Sequence, residues 1–372
     1  MANAISLYVH LPFCRKKCPY CSFFVLPYSK ESELLLLESL LMHLETLKSS
    51  IKGRELVSVY FGGGTPSILS IDFLSTLVQK IRSLPFCFGA NIEWTIEANP
   101  EDVTKEWSQN IYNLGFNRVS LGVQSFVEKE LHFLGRSTQK GLAQKAIDHL
   151  IEAKITNISV DIIFELMDQK KNDFLETLYS IKHLPITHLS LYNLMIEEGS
   201  YFFRKKNILE KKRPSEELCL EMLTSAVEIL ESFNFERYEI SAFCKNGLSS
   251  KHNIGYWTGR EFIGIGPSAW SFFKNKRTQC VKNLNLYKEN LSKGVEPFLF
   301  TEELSFDALS KEQLGLSLRL KQGVLKSSVT LKESIDSIAS LSKKGFIEED
   351  SCSFFLSEKG KNFYDIVQME LL

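Results

Sequence analysis

Three cysteines fall within eight residues in the run Cys14-Arg15-Lys16-Lys17-Cys18-Pro19-Tyr20-Cys21, a C-x3-C-x2-C spacing. Three thiolates on one short loop can ligate three irons of a cubane iron–sulfur cluster. The fourth iron then has no protein ligand and stays open to a small molecule, unlike ferredoxin clusters closed by a fourth cysteine. Two other chemistries fit the spacing. A tetrahedral zinc site could add His10 as its fourth ligand, although structural zinc usually joins two distant knuckles and this chain has one. The three thiols could also be an accidental group of buried cysteines. The other five cysteines (Cys87, Cys219, Cys244, Cys280 and Cys352) are scattered. That is no disulfide framework, and it points to a reducing, cytoplasmic setting.

The elements that must hold this loop alternate strand and helix. Strands are expected at Ile5–His10, Leu56–Phe61, Asn91–Glu97, Arg118–Gln124, Ile158–Phe164 and Leu189–Ile196, with amphipathic helices such as Glu31–Leu47, Ile71–Leu84 and Glu101–Leu114 between them. Gly115 is placed to end the last of these helices. Six β–α units in series argue for a parallel sheet, open or curved into part of a barrel. In such folds chemistry sits at the C-terminal ends of the strands. Unusual residues do gather there: the cysteines follow the first strand and Gly62-Gly63-Gly64 the second. Glu97 ends the third strand and Gln124 the fourth, while Asp161 lies inside the fifth.

Three units are expected: 1–240 for the β–α repeat, 241–299 as a connecting segment, and 300–372 as a mostly helical, winged-helix-like module with a hairpin at Gly345–Leu356. Residues 301–372 hold nine Lys/Arg against twelve Asp/Glu, so this module does not read as a nucleic-acid binder. The whole chain has 372 residues, 44% apolar and 24% charged, with a formal net charge of −1. That balance argues against a general grip on nucleic acid or an anionic membrane. No apolar run is long enough to span a bilayer, and Met1–Ser6 does not read as a secretion signal. Peripheral membrane contact stays open.

The cysteine motif, in a serial β–α chain with an aromatic residue before its last cysteine, resembles the radical SAM superfamily. The resemblance narrows with Tyr8-Val-His10-Leu-Pro12-Phe-Cys14, Phe61-Gly-Gly-Gly-Thr65-Pro66-Ser67, Leu121-Gly-Val-Gln124-Ser125-Phe126 and His252-Asn253-Ile-Gly-Tyr256-Trp257. These segments look like the oxygen-independent coproporphyrinogen III oxidase group, and most closely like its HemW-type haem chaperones. The porphyrinogen dehydrogenase carries an extra cysteine two residues after the third ligand, where this chain has Phe23, and an N-terminal extension before the first strand, where this chain has four residues.

The resemblance implies an α/β partial (β/α)6 barrel. It implies a [4Fe–4S] cluster on Cys14, Cys18 and Cys21, and S-adenosylmethionine (SAM) on the open iron, which in the superfamily is cleaved to a 5′-deoxyadenosyl radical. It also implies haem and a haem-accepting protein partner, and leaves the reductant unnamed. Residue by residue, Tyr8 would orient SAM beside the cluster. Gly62, Gly63 and Gly64 would let backbone approach its methionine end, and Thr65 would add a hydroxyl. A tight turn after the strand is the simpler reading of the glycines, but three are more than a turn needs. Glu97 would accept ribose hydroxyls. Gln124, Arg136 and Asp161 would complete a polar ring, with Arg136 as the partner that a buried Asp161 needs. A purely structural ion pair is the alternative there. Tyr20 would pack near the adenine, and Met195 and Trp270 occupy positions where the family contacts SAM. His252 would ligate haem iron, with Tyr256 and Trp257 offering flat faces; without the resemblance, His252 reads as a surface histidine.

Two stretches depart from the family pattern. A GLPxQ-like turn reads Glu165-Leu166-Met167-Asp168-Gln169, which removes both turn formers and brings charge toward the site. A G-x-G-P-G-A-H-S-like stretch reads Gly264-Ile-Gly266-Pro267-Ser268-Ala269-Trp270-Ser271. The competing functions are the porphyrinogen dehydrogenase, an RNA-modifying radical enzyme, disfavoured by the neutral charge, and a zinc-stabilised scaffold.

Overall fold

Alternating apolar runs and capped helices build a serial α/β chain. A computed structural model describes residues 3–139 and 141–371. The strands β1 (Ala4–Leu11), β2 (Glu55–Gly63), β3 (Cys87–Ala98), β4 (Arg118–Gln124), β5 (Asn157–Phe164) and β6 (His188–Asn193) pair in that order, all parallel. Each is joined to the next through helix: α1 (Lys30–Ile51), α2 (Ile71–Arg82), α3 (Lys105–Leu114), α4 (Glu128–Phe133) with α5 (Leu142–Glu152), and α6 (Lys171–Ile181). This is the expected partial barrel: each crossover covers one face with helix, and the sheet keeps two ends rather than closing.

β5 shows why the sequence folds this way. Ile158, Val160, Ile162 and Phe164 are all buried, packed with α6 through Phe174 and Leu178 in the central core. Helix starts follow their caps. The helix expected from Glu101 begins only at Lys105, because Thr104 accepts the Trp107 N–H; Pro100–Asp102 forms a separate 3-10 turn. Gly115 ends α3 at φ 88°, as expected of a left-handed cap.

After β6 come α7 (Lys206–Leu209) and α8 (Glu216–Ser232), then β7 (Glu236–Glu239), β8 (Ala242–Cys244), α9 (Lys251–Trp257), β9 (Glu261–Ile265), β10 (Trp270–Phe273), β11 (Lys276–Cys280), α10 (Leu284–Ser292) and β12 (Phe298–Glu303). The segment 241–299, expected to connect, instead extends the main sheet at both ends. The twelve-stranded order is β12-β11-β10-β9-β1-β2-β3-β4-β5-β6-β8-β7. β9 pairs parallel to β1, which sets its hairpin with β10 beside the cysteine-bearing loop.

Residues beyond β12 form α11 (Phe306–Leu318), α12 (Lys332–Lys343), α13 (Glu358–Asn362) and α14 (Tyr364–Leu371) around a three-stranded sheet of β13 (Val324–Leu325), β14 (Ile347–Glu349) and β15 (Ser353–Leu356). This part has its own core, centred on Leu318, Ile338, Leu341 and Val367. It docks on Trp257: Arg319 lies 4.2 Å over the indole, and Gln313 and Ser317 donate to the Trp257 carbonyl at 3.0 and 3.2 Å. Among the described residues no helix is long and apolar enough to cross a membrane.

The two departures from the family pattern keep left-handed backbone without glycine. Glu165 and Asp168 each have φ 59°, and Ser268 has φ 70°. The charges of the first two are matched away from the cysteine loop, Glu165 by Arg213 at 3.7 Å and Asp168 by Lys212 at 2.8 Å. Left-handed backbone costs a side-chain-bearing residue about 1–2 kcal/mol, partly offset by the extra freedom glycine has when unfolded. Ser268→Gly is therefore expected to raise stability by about 0.5–1 kcal/mol, read as a higher denaturation midpoint at unchanged slope.

Candidate functional site at the C-terminal ends of the strands

The fully buried Phe13 anchors the loop after β1, and Phe13–Cys14 pairs with Leu26–Pro27 so that the loop returns on itself. The Leu26 N–H reaches Pro12 O at 2.6 Å, and the Cys21 N–H reaches Cys18 O at 3.1 Å. The end of β2 then runs against this loop: Gly64 N–H donates to Leu11 O at 2.9 Å and Thr65 N–H to Phe13 O at 2.7 Å. The close approach explains the glycines. A Cβ on Gly62 would stand 2.8 Å from the Tyr60 ring and 2.9 Å from Glu97 Oε1; on Gly63 it would overlap the His10 ring. The tightness comes from protein atoms before any ligand is considered.

Cys14, Cys18 and Cys21 are half-buried free thiols that line one cavity of about 190 Å³. Thr65 Oγ1 donates to Cys14 Sγ at 3.3 Å, and Arg136 Nη1 to Cys18 Sγ at 3.6 Å. Burial pushes the Cys14 and Cys21 thiols up. Among the described residues no three His, Cys, Asp or Glu side chains converge on a point where one ion could sit. His10 is no fourth zinc ligand either. Its Nδ1 meets Tyr8 Oη at 3.0 Å and its Nε2 meets Phe24 O at 3.1 Å, and burial lowers its pKa to about 4. Three thiols on one loop with no fourth protein donor among the described residues are a set that could hold three irons of an iron–sulfur cluster.

Gly63, Gly64, Thr65, Glu97, Gln124, Arg136, Asp161 and Tyr20 line the same cavity. The strand-end rule thus brings together residues from β2, β3, β4 and β5 with the loop. Gln124 turns into the cavity wall through a left-handed φ of 73° at a register shift between β4 and β5. The expected pairing of Arg136 with Asp161 is not formed. Arg136 binds Asn99 Oδ1 at 2.8 Å, the Gly122 carbonyl and Cys18. Asp161 instead accepts from Ser120 Oγ at 3.3 Å; burial raises its pKa, opposed by hydrogen bonds from Ser190 and Ser120 and by the nearby Arg118 charge, with Arg136 contributing less than Arg118.

Glu97 accepts from Tyr60 Oη at 2.9 Å and from the Gly63 N–H at 3.0 Å. Burial, reinforced by the Asp161 charge, nevertheless raises its pKa to about 7. A carboxyl whose pKa is raised on folding binds its proton more tightly in the native state. Its contribution to stability is full below the unfolded value and is lost as pH rises to about 7. The metal-free protein is therefore expected to lose up to about 3 kcal/mol relative to Glu97→Gln between pH 4.5 and 7.5. Denaturation of both proteins across that range measures the difference, which should flatten above the upper limit.

Other expected residues lie elsewhere. Tyr8 lines a larger adjoining cavity of about 610 Å³ together with Tyr256 and Trp270. Met195 is 60% exposed and is not among the residues lining the cysteine cavity. Trp257 faces α11, as described above. His252 requires a correction: it is neither a surface residue nor free to meet an iron. It is 1% exposed, with Nδ1 on Ser58 Oγ at 2.9 Å and Nε2 on Tyr256 Oη at 2.8 Å, and burial lowers its pKa to about 3. Axial ligation would break one of these bonds inside the barrel.

Sequence reasoning missed Tyr60, Asn99 and Arg118. Arg118 is 2% exposed at the base of β4, where the charges of Glu93 and Asp161 favour its protonated form. A lone arginine opening the apolar run Arg118-Val-Ser-Leu was the signal. Asn99 sat beside the proline that ends β3, in the zone where chemistry was expected.

A radical SAM superfamily model matches residues 8–179. The heme chaperone HemW of Mycobacterium tuberculosis is 30% identical over 372 residues, covering 98% of this chain and 94% of that protein. The heme chaperone HemW of Bacillus subtilis is 29% identical over 371 residues, covering 96% of each. Among solved structures, the coproporphyrinogen III oxidase HemN of Escherichia coli superposes with a TM-score of 0.85 over 99% of this chain and 90% of that one. At 22% identity that likeness speaks for the fold. Similarity that runs end to end, through the cysteine loop and the C-terminal helices alike, makes this chain a member of the HemW family of radical SAM proteins.

Proposed function

We propose that this protein binds haem and delivers it to an acceptor protein, and that it holds a [4Fe–4S] cluster with exchangeable SAM on Cys14, Cys18 and Cys21. The observation that carries the reading is that these three thiols open on one cavity without a fourth cysteine. The position two residues after the third ligand is Phe23. The end-to-end kinship with heme chaperones supports the haem part. When bound, such a cluster supplies one electron and an open coordination position for SAM. The chain's own residues prepare the cavity. Arg136 and Thr65 donate to cysteine sulfur and would so stabilise the negative charge on the thiolates of a bound cluster. Glu97, already a double acceptor, would take ribose hydroxyls. Gln124 and Asp161 would complete the polar wall, with Tyr20 beside the adenine. Met195 gets no role, and His252 a positioning one through Tyr256.

The test reconstitutes the full chain anaerobically with iron and sulfide, titrates haem, and then offers coproporphyrinogen III with SAM and a reductant. A cluster spectrum, a Soret band on haem addition and no turnover are expected. Protoporphyrinogen formation would replace the chaperone reading with that of the dehydrogenase. A colourless product retaining only zinc would remove the cluster.

A further inference from the structure

We propose that haem lies in the cleft between the cysteine loop and β10, its ring against Trp270 and Phe23 and its carboxylates toward Lys17 and Lys282. This rests on the haem-binding reading above and replaces His252 as the centre of the site. Trp270 and Phe23 are 41% and 63% exposed, large aromatic surfaces left outside the core, and they line the same cavity of about 610 Å³. That volume falls within the range of about 300–1,000 Å³ typical of small-molecule sites. The apolar surface continues past Trp270. Tyr256, Phe262 and Trp270 also line a second cavity, of about 220 Å³, that reaches Leu309 and Leu316 of α11. A flat apolar macrocycle is the ligand class that covers such a wall.

Charge selects the rest of the ligand. Lys17 and Lys282 are exposed and line the cleft, and no Asp or Glu does among the described residues. Two cations at the solvent edge of an aromatic cleft suit the paired carboxylates of haem. Lys17 and Phe23 line the cysteine cavity as well, so the bound ring would lie beside the cluster. The one imidazole lining the cleft, that of His10, has both nitrogens bonded to Tyr8 and Phe24. His252 stays behind the Tyr256 hydroxyl. The ring faces and the carboxylates therefore carry recognition, since both imidazoles near the cleft keep their nitrogens hydrogen-bonded.

The test uses the reconstituted full chain and follows haem by the Soret band and by quenching of tryptophan fluorescence. Trp270→Ala and Lys282→Glu, both at solvent-reaching positions, should each weaken haem binding about tenfold with an unchanged cluster spectrum. Iron-free protoporphyrin IX should bind within about threefold of haem, because the iron is not the main anchor. His252→Ala should leave the Soret maximum where it is. If wild type binds haem and both Trp270→Ala and Lys282→Glu bind as wild type does, this site is wrong while the haem reading stands. A moved Soret maximum in His252→Ala, with protoporphyrin rejected, overturns the site in favour of histidine ligation. Wild type that takes up no haem overturns the haem reading itself, and the site with it.

Discussion

Replacing any one of Cys14, Cys18 or Cys21 by alanine is expected to abolish iron retention, whichever of the three is chosen. The reason is the shared loop. All three line one cavity, and the other five cysteines lie outside its lining, so no spare thiol stands by to substitute. Two thiolates leave two irons without protein ligands, and exchange with solvent then strips the cluster. The hydrogen-bonding neighbours should behave differently. Thr65→Val and Arg136→Gln remove single donors to Cys14 and Cys18. They are expected to keep iron but shift the reduction potential or cut affinity about 10–100-fold. Iron and sulfide analysis with potentiometry separates the two classes. Equal iron loss from Arg136→Gln and Cys18→Ala would show that the arginine holds the loop itself rather than tuning it.

Gly64→Ala should be nearly as damaging, though it touches no thiol. The added Cβ would lie 2.6 Å from Phe13 O, 2.7 Å from Leu11 O and 2.8 Å from Phe13 N. All three are backbone atoms of the segment that leads into Cys14, so no side chain can swing aside. Either β2 or the cysteine strand must shift. We expect a cost of about 3 kcal/mol in stability together with loss of most cluster iron after reconstitution. Gly53→Ala is the control, since nothing lies within 4 Å of its Cβ. Its left-handed φ of 73° gives it only the ordinary backbone cost of about 1–2 kcal/mol. A Gly64→Ala protein as stable as Gly53→Ala would contradict the close approach of β2 to the loop.

Much of this site was legible because it depends on order along the chain. Parallel β–α repetition puts every strand's C-terminal end on one side. A cysteine loop after β1, glycines after β2, Glu97 at the end of β3 and Gln124 at the end of β4 were therefore bound to meet. Some strand limits were readable for the same local reason: β4 runs from Arg118 to Gln124 as its pattern indicates, whereas β3 begins at Cys87 rather than Asn91 and β6 ends at Asn193 rather than Ile196. What local pattern could not supply was pairing among buried polar groups. Arg136 reaches Asn99 and Cys18 rather than Asp161, a choice made by loop geometry 37 residues away in sequence. The family resemblance offered His252 as a ligand, yet Ser58, 194 residues away, claims one of its nitrogens.

The sequence by itself thus determined the cysteine motif and the order of the six strands, because spacing and periodicity are properties of a chain read in one dimension, and its motifs carried the family resemblance. The tertiary structure alone decided which hydrogen bonds the buried groups keep, that residues 241–299 complete the main sheet, and that Phe23 and Trp270 face one cleft. The last of these depends on β9 settling against β1, a parallel contact between residues more than 250 positions apart. Its physical reason is burial of Ile263 and Ile265 beside Ile5, Leu7 and Val9, which many apolar segments could have offered and only packing selects.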